Sequence, residues 1–255
     1  MIKLEIQYKR QIGYGTIRVD VPSTYSEMSA TQFLAAVRVT QGLIDQAEFI
    51  KTYFGLHDMI FAKLDGYQLY KITELVEQID SSKASHDDFY IQRLPGDFFA
   101  PNAKLNGMSF QQFMVIDTYF GWHIYTDKPA YLDLMIAAMY LRTGESFFPE
   151  AGETLADVEA HAKRMADLDR GTKMAIMLNW TLIKGWLSHA YGDLFPMGEP
   201  DSSKKNTKKQ RPTNWLDVFD AFVGDNIPHM DSYKAMPCMD AFRILNKKIK
   251  EAKKR

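Results

Sequence analysis

Two hexapeptides, Met-Ser-Ala-Thr-Gln-Phe at residues 28–33 and Met-Ser-Phe-Gln-Gln-Phe at residues 108–113, stand 80 positions apart and share one grammar. Ser29 followed by Gln32, and Ser109 followed by Gln112, have the spacing of a capping box. In that motif the serine side chain takes a backbone N–H of the first turn, and the glutamine reaches back to the cap. A methionine stands just before each serine. Phe33 and Phe113 fall where a hydrophobic staple would meet those methionines. The phrase is therefore a helix-start device used twice. A capping signal this short also recurs by chance, so the repeat alone does not establish a duplication.

The pattern around the phrases predicts a mainly α chain behind an N-terminal β-hairpin. Leu4, Ile6 and Tyr8 alternate with charged and polar residues, and so do Ile17, Val19 and Val21 beyond the glycine-bearing turn at 12–15. That is the period of two strands around a turn, with Pro22 stopping the second. Helical spacing follows at 33–39, at 45–55 with Gly55 as C-cap, and through Leu69, Ile72, Leu75, Val76 and Ile79. Residues 81–107 are polar and broken by Pro95, Gly96 and Pro101, which predicts a surface connection. Further helices are expected at 109–120, 130–142 and 154–190, the last split near Gly171. Its C-terminal part presents Met174, Met177, Leu178, Leu182, Trp186 and Leu187 as one apolar face. The expected divisions are a hairpin (1–22), a first helical half (23–80), a connection (81–107), a second helical half (108–197), a basic linker (198–213) and a helical tail (214–255).

Charge is unevenly spread. Residues 1–200 carry 18 Lys/Arg against 25 Asp/Glu, whereas residues 201–255 carry 13 against 7. The linker Asp201–Thr213 has almost nothing to bury. Beyond it, Trp215, Val218, Phe219 and Phe222 make a short amphipathic piece. In the closing helix Phe242, Leu245 and Ile249 form a narrow apolar stripe amid Arg243, Lys247, Lys248 and Lys250. These seven residues are the expected partner-binding set. The basic face has two readings: a solvated helix end complementing the helix dipole, or a dock for an acidic partner or nucleic acid.

No phosphate loop, dinucleotide fingerprint or zinc spacing is present. The six histidines have no i, i+3 or i, i+4 pair. Cys238 is the sole cysteine, which excludes an internal disulfide and suits a reducing compartment. It is expected to be a small, partly buried residue at a helix start. The N-terminus lacks the apolar core of a signal peptide, and no apolar run is long enough to span a bilayer. Asn179-Trp180-Thr181 matches a glycosylation sequon and is read as chance. No catalytic residue, metal site or cofactor is expected.

Pro22, Thr24, Tyr25, Glu27, Met28, Ser29, Gln32 and Phe33, with Ser23 among them, form a phrase that resembles the opening of the helical domain in a group of tailed-bacteriophage morphogenesis proteins. Phe54-Gly55-Leu56 fits loosely the aliphatic-glycine turn that follows there. The runs "MSFQQFMVIDTYF", "LDLMIAAMYLRTGESF" and "NWTLIKGWLSHAYGDLF" are similar to helices of longer members. The resemblance covers about residues 15–196 and implies a non-enzymatic virion structural protein of the tail or head–tail connector, working by protein–protein contacts in a homo- or hetero-oligomer. As the second reading it allows a soluble tail-assembly chaperone absent from the mature virion. It implies no catalytic residues. The expected locations are the virion, and the host cytoplasm during assembly. A nucleic-acid-binding protein using the basic C-terminal tail is the reading from another class.

Overall fold

The computed structural model describes residues 2–77, 85–196 and 211–254, which fall into two compact units. The first is Met1–His86 with Arg170–Ala175, and the second is Asp87–Asp169 with Ile176–Arg255. The protein is mainly α: eleven helices are formed by the described residues, with a two-stranded antiparallel hairpin at the N-terminus. Ile79 of the expected fourth helix, and most of the basic linker, lie outside the described residues.

In the first unit, β1 (Ile2–Lys9) pairs with β2 (Tyr14–Val21). The register sets Leu4 opposite Val19 and Ile6 opposite Ile17, and on the other face Glu5 opposite Arg18. Ile6, Val19 and Val21 are buried, whereas Glu5 and Arg18 form an exposed ion pair at 2.7 Å. The alternation read from sequence thus fixes which face packs inward. Helices α1 (Ala30–Thr40), α2 (Gln46–Phe54), α3 (Asp58–Phe61) and α4 (Gly66–Glu77) follow. Gly55 closes α2 in the left-handed conformation at φ 63°, where a Cβ would be strained.

In the second unit, the strands β3 (Arg93–Leu94), β4 (Phe98–Phe99) and β5 (Leu141–Arg142) form a small antiparallel sheet. β6 (Glu145–Ser146) and β7 (Thr154–Leu155) pair in parallel. The helices are α5 (Phe110–Thr126), α6 (Pro129–Met139), α7 (Val158–Met165), α8 (Arg170–Ala190), α9 (Trp215–Val223), α10 (Met230–Ala235) and α11 (Cys238–Ala252). The residues that begin α8 cluster with the first unit. Asp127, at φ 56°, and Pro129 at the start of α6 reverse the chain in two residues between α5 and α6.

Three expectations are corrected here. The described part of 81–107 is no mere surface connection: Phe89, Leu94, Phe98 and Leu105 are buried in the core of the second unit, and two of its three sheet strands lie there. Its polar residues and prolines occupy turns between these anchors, so average composition concealed them. The helix expected at 154–190 breaks at Ala166–Asp169 and not at Gly171, which sits inside α8. The fully buried row of α8 runs through Ile176, Trp180, Ile183 and Leu187; of the expected face Leu182 and Leu187 are buried, while Met174, Met177, Leu178 and Trp186 are only half-buried.

The repeated phrase does more than start helices. In the first copy the capping box is complete: Gln32 N–H donates to Ser29 Oγ at 3.2 Å, and Ser29 N–H donates to Gln32 Oε1 at 2.9 Å. Gln32 Nε2 also donates to the Tyr53 carbonyl at 3.0 Å. In the second copy only the first of these cap bonds forms, from Gln112 N–H to Ser109 Oγ at 3.1 Å. The expected box is half made: the Gln112 side chain, now buried, donates to the Ala138 carbonyl at 3.0 Å without the return bond to the cap that Gln32 makes.

Tyr53 and Ala138 are each the penultimate residue of the helix packed beside the phrase. Their carbonyls belong to the last turn, which has no intrahelical donor. Each glutamine therefore ties the start of one helix to the end of the next. Gln112→Ala is expected to cost about 1–3 kcal/mol, because it strands a buried carbonyl. Gln32→Ala, in a part-exposed setting, should cost about 1 kcal/mol, from the lost bonds to Ser29 N–H and the Tyr53 carbonyl. Urea unfolding of the two variants checks both the sizes and the order.

Candidate interaction surface

The closing helix α11 is not a free arm. Its start is clipped to the second phrase by two backbone bonds, Phe110 N–H to the Met236 carbonyl at 2.8 Å and Cys238 N–H to the Met108 carbonyl at 2.9 Å. Phe242 and Leu245, expected to meet a partner, are buried in the chain's own core. The Phe242 ring stands edge-on to Phe113 at 4.6 Å and to Phe195 at 5.1 Å, with Phe110 and Tyr191 near 6 Å. The stripe has already found its partner within the fold, because edge-to-face aromatic packing and burial together favour that position. Ile249 is half-buried.

The cations of that helix remain exposed, yet most have local partners. Arg243 pairs with Asp240 at 3.2 Å, and Lys247 with Glu251 at 3.9 Å. Lys248 Nζ donates to the Phe222 carbonyl at the end of α9 at 3.1 Å and lies over the Phe222 ring. Lys253 binds Asp193 at 2.8 Å and, through that bond, holds the Asp193 carboxyl below its ordinary range. Lys250 is exposed. Acceptors within the chain thus engage Arg243, Lys247, Lys248 and Lys253.

A different surface has the shape of a binding site. Asp117 is buried on α5, at the seventh position after Phe110 on the same face. Its carboxylate accepts from Trp215 Nε1 at 2.8 Å, from Trp180 Nε1 at 3.3 Å and from Lys184 Nζ at 2.8 Å. Three donors from α8 and α9 compensate the desolvated charge, as a buried carboxylate requires. The bond to Trp215 fixes where α9 begins. Just upstream, Pro212 lies against Gly121 of α5, so close that a Cβ on residue 121 would sit 2.7 Å from the proline Cβ. Gly121 carries the helix penalty of glycine, roughly 1 kcal/mol, where the chain 211–214 needs the space.

Between that segment, α9 and α5 lies a groove of about 660 Å³. Met114, Val115, Tyr119, Trp122, Trp215, Leu216 and Phe219 make its apolar lining, with Arg211 and Lys234 at its edge. Tyr119 and Trp122 each stack on Tyr131, at 6.4 and 6.1 Å, so the aromatic wall is held from behind. Trp215, Val218, Phe219 and Phe222 stood out in the sequence as a short amphipathic piece. The signal for Asp117 was a single acid on an otherwise apolar helix face.

Cys238, Asn179 and His161 are all buried. Cys238 is fully buried, and burial pushes its thiol up to about 12, which makes it a poor nucleophile. The sequon is not an available acceptor: both amide atoms of Asn179 are engaged, with Tyr90 N–H at 2.8 Å and the Asp88 carbonyl at 2.9 Å. His161 meets Glu145 at 3.2 Å in a nearly buried pair against Phe98. Among the described residues no three His, Cys, Asp or Glu side chains converge as metal ligands, and no helix is long and apolar enough to cross a membrane. No family model, curated protein or solved structure matches the chain.

Asp117→Ala should destabilise the second unit by about 3–5 kcal/mol, since it leaves a lysine and two indoles without their acceptor. Tryptophan emission should shift to the red as α9 loosens, and unfolding followed by that emission checks both. Gly121→Leu should displace residues 211–214 while leaving the helical circular dichroism nearly unchanged. Faster proteolysis near Arg211 is the expected readout.

Proposed function

We propose that this chain is a non-enzymatic structural or assembly component of a tailed bacteriophage, acting at the tail or head–tail region by binding other proteins. Two things support the reading. One is the resemblance carried by the opening phrase and its repeat. The other, which carries most weight, is the apolar groove on the second unit: a surface with aromatic walls, supported from behind by stacked rings and a fully partnered carboxylate. Grooves of that composition suit an inserted anchor side chain. The basic helix contributes less to partner contacts than its composition suggests, because its apolar stripe serves the core.

Mass spectrometry of purified particles tests the role. A stoichiometric amount of the chain is the expected result. Its absence from particles, together with its recovery from infected cells bound to a tail protein, would replace the virion role with that of a transient assembly chaperone. Absence from both would overturn the proposal.

A further inference from the structure

The groove has a mostly apolar lining and two cations, Arg211 and Lys234, and no carboxylate among its described lining residues. Lys234 also holds Asp231 at 3.2 Å, which leaves Arg211 the less committed of the two. Leu216 stands at its edge, 71% exposed. A fitting occupant would offer an aliphatic or aromatic anchor among acidic residues.

The same unit displays such a segment. Residues 150–159 hold Glu150, Glu153, Asp157 and Glu159, with no lysine or arginine. In their midst Leu155, on β7, is 67% exposed. The segment is held in shape by its own bonds, from Glu150 N–H to Glu153 at 3.0 Å and from Ala160 N–H to Asp157 at 2.9 Å. β7 pairs only with β6 among the described residues, so Leu155 sits on an open strand edge. An exposed leucine flanked along the chain by acidic residues is the chemical complement of an apolar groove that carries cations.

We propose that the groove receives the Leu155 segment of a second copy of this chain. The anchor enters the apolar lining, and the carboxylates face Arg211 and Lys234. Because groove and segment are different surfaces, the contact joins unlike patches and can extend from copy to copy. Its exposed charges steer and orient the pair, so association weakens as salt rises. This deepens the assembly reading and rests on it only for its purpose: particle composition tests the reading, and self-association of the pure protein tests the contact.

The experiment is sedimentation equilibrium of the full chain across a concentration series at low and high salt, with Leu216→Asp and Leu155→Asp variants. Both positions are exposed, so both variants should fold, which circular dichroism verifies. The wild type should self-associate more at low salt, and each variant should associate at least about tenfold more weakly. Mixed together, the two variants should recover association, because one keeps an intact segment and the other an intact groove. A wild type that stays monomeric throughout, association that survives both substitutions, or a mixture no heavier than its parts would each overturn the proposal. So would a monomeric chain whose groove holds a different acidic protein.

Discussion

The last turn of a helix carries carbonyls with no donor of their own, and a helical pair that buries such a turn must supply one from elsewhere. Both units meet this demand in the same way. A glutamine at the third position of the leading helix donates its side-chain amide to the penultimate carbonyl of the helix beside it, Gln32 to Tyr53 and Gln112 to Ala138. The bond holds the start of one helix against the end of the next, which makes each pair antiparallel. It gives the recurrence of Met-Ser-x-x-Gln-Phe a physical cause: serine starts the helix, glutamine closes the neighbour, and the flanking Met28, Phe33, Met108 and Phe113 are all buried.

In the second unit the tie leads to a larger consequence. The strand-like clip at Ser109 and Pro237 occupies the backbone around the cap, and Gln112 turns inward. The same clip sets α11 against α5, which brings Phe242 among Phe113, Phe195 and Phe110. One turn further along α5, Asp117 collects the indole of Trp215 and so positions α9. Gly121, a turn beyond, admits Pro212. The groove is the space left between elements that three positions on one helix have placed.

The closing helix shows why an amphipathic pattern does not identify a partner. Its apolar stripe and cationic flanks fit a docking arm as well as they fit a packed helix with a solvated back. The structure buries Phe242 and Leu245 and engages Lys248 and Lys253 with acceptors in the same chain. On α5 and α9, by contrast, Trp122 and Leu216 stay exposed at the groove.

Local order was legible in the sequence. The hairpin with its alternating faces, the helix starts after Ser29 and Ser109, the cap at Gly55 and the mainly α class all follow from spacing of two, of three to four, and from single residues with narrow backbone preferences. Those signals act between neighbours, so the chain need not be folded for them to be read. Tertiary structure alone decided the rest: that Phe89, Leu94, Phe98 and Leu105 anchor a segment that looked like a loop, that Asp117 is buried among donors, and that the stripe of α11 faces inward. Burial depends on which surfaces distant parts of the chain bring to a side chain. A pattern records that a residue needs cover, and only the assembled fold supplies what covers it.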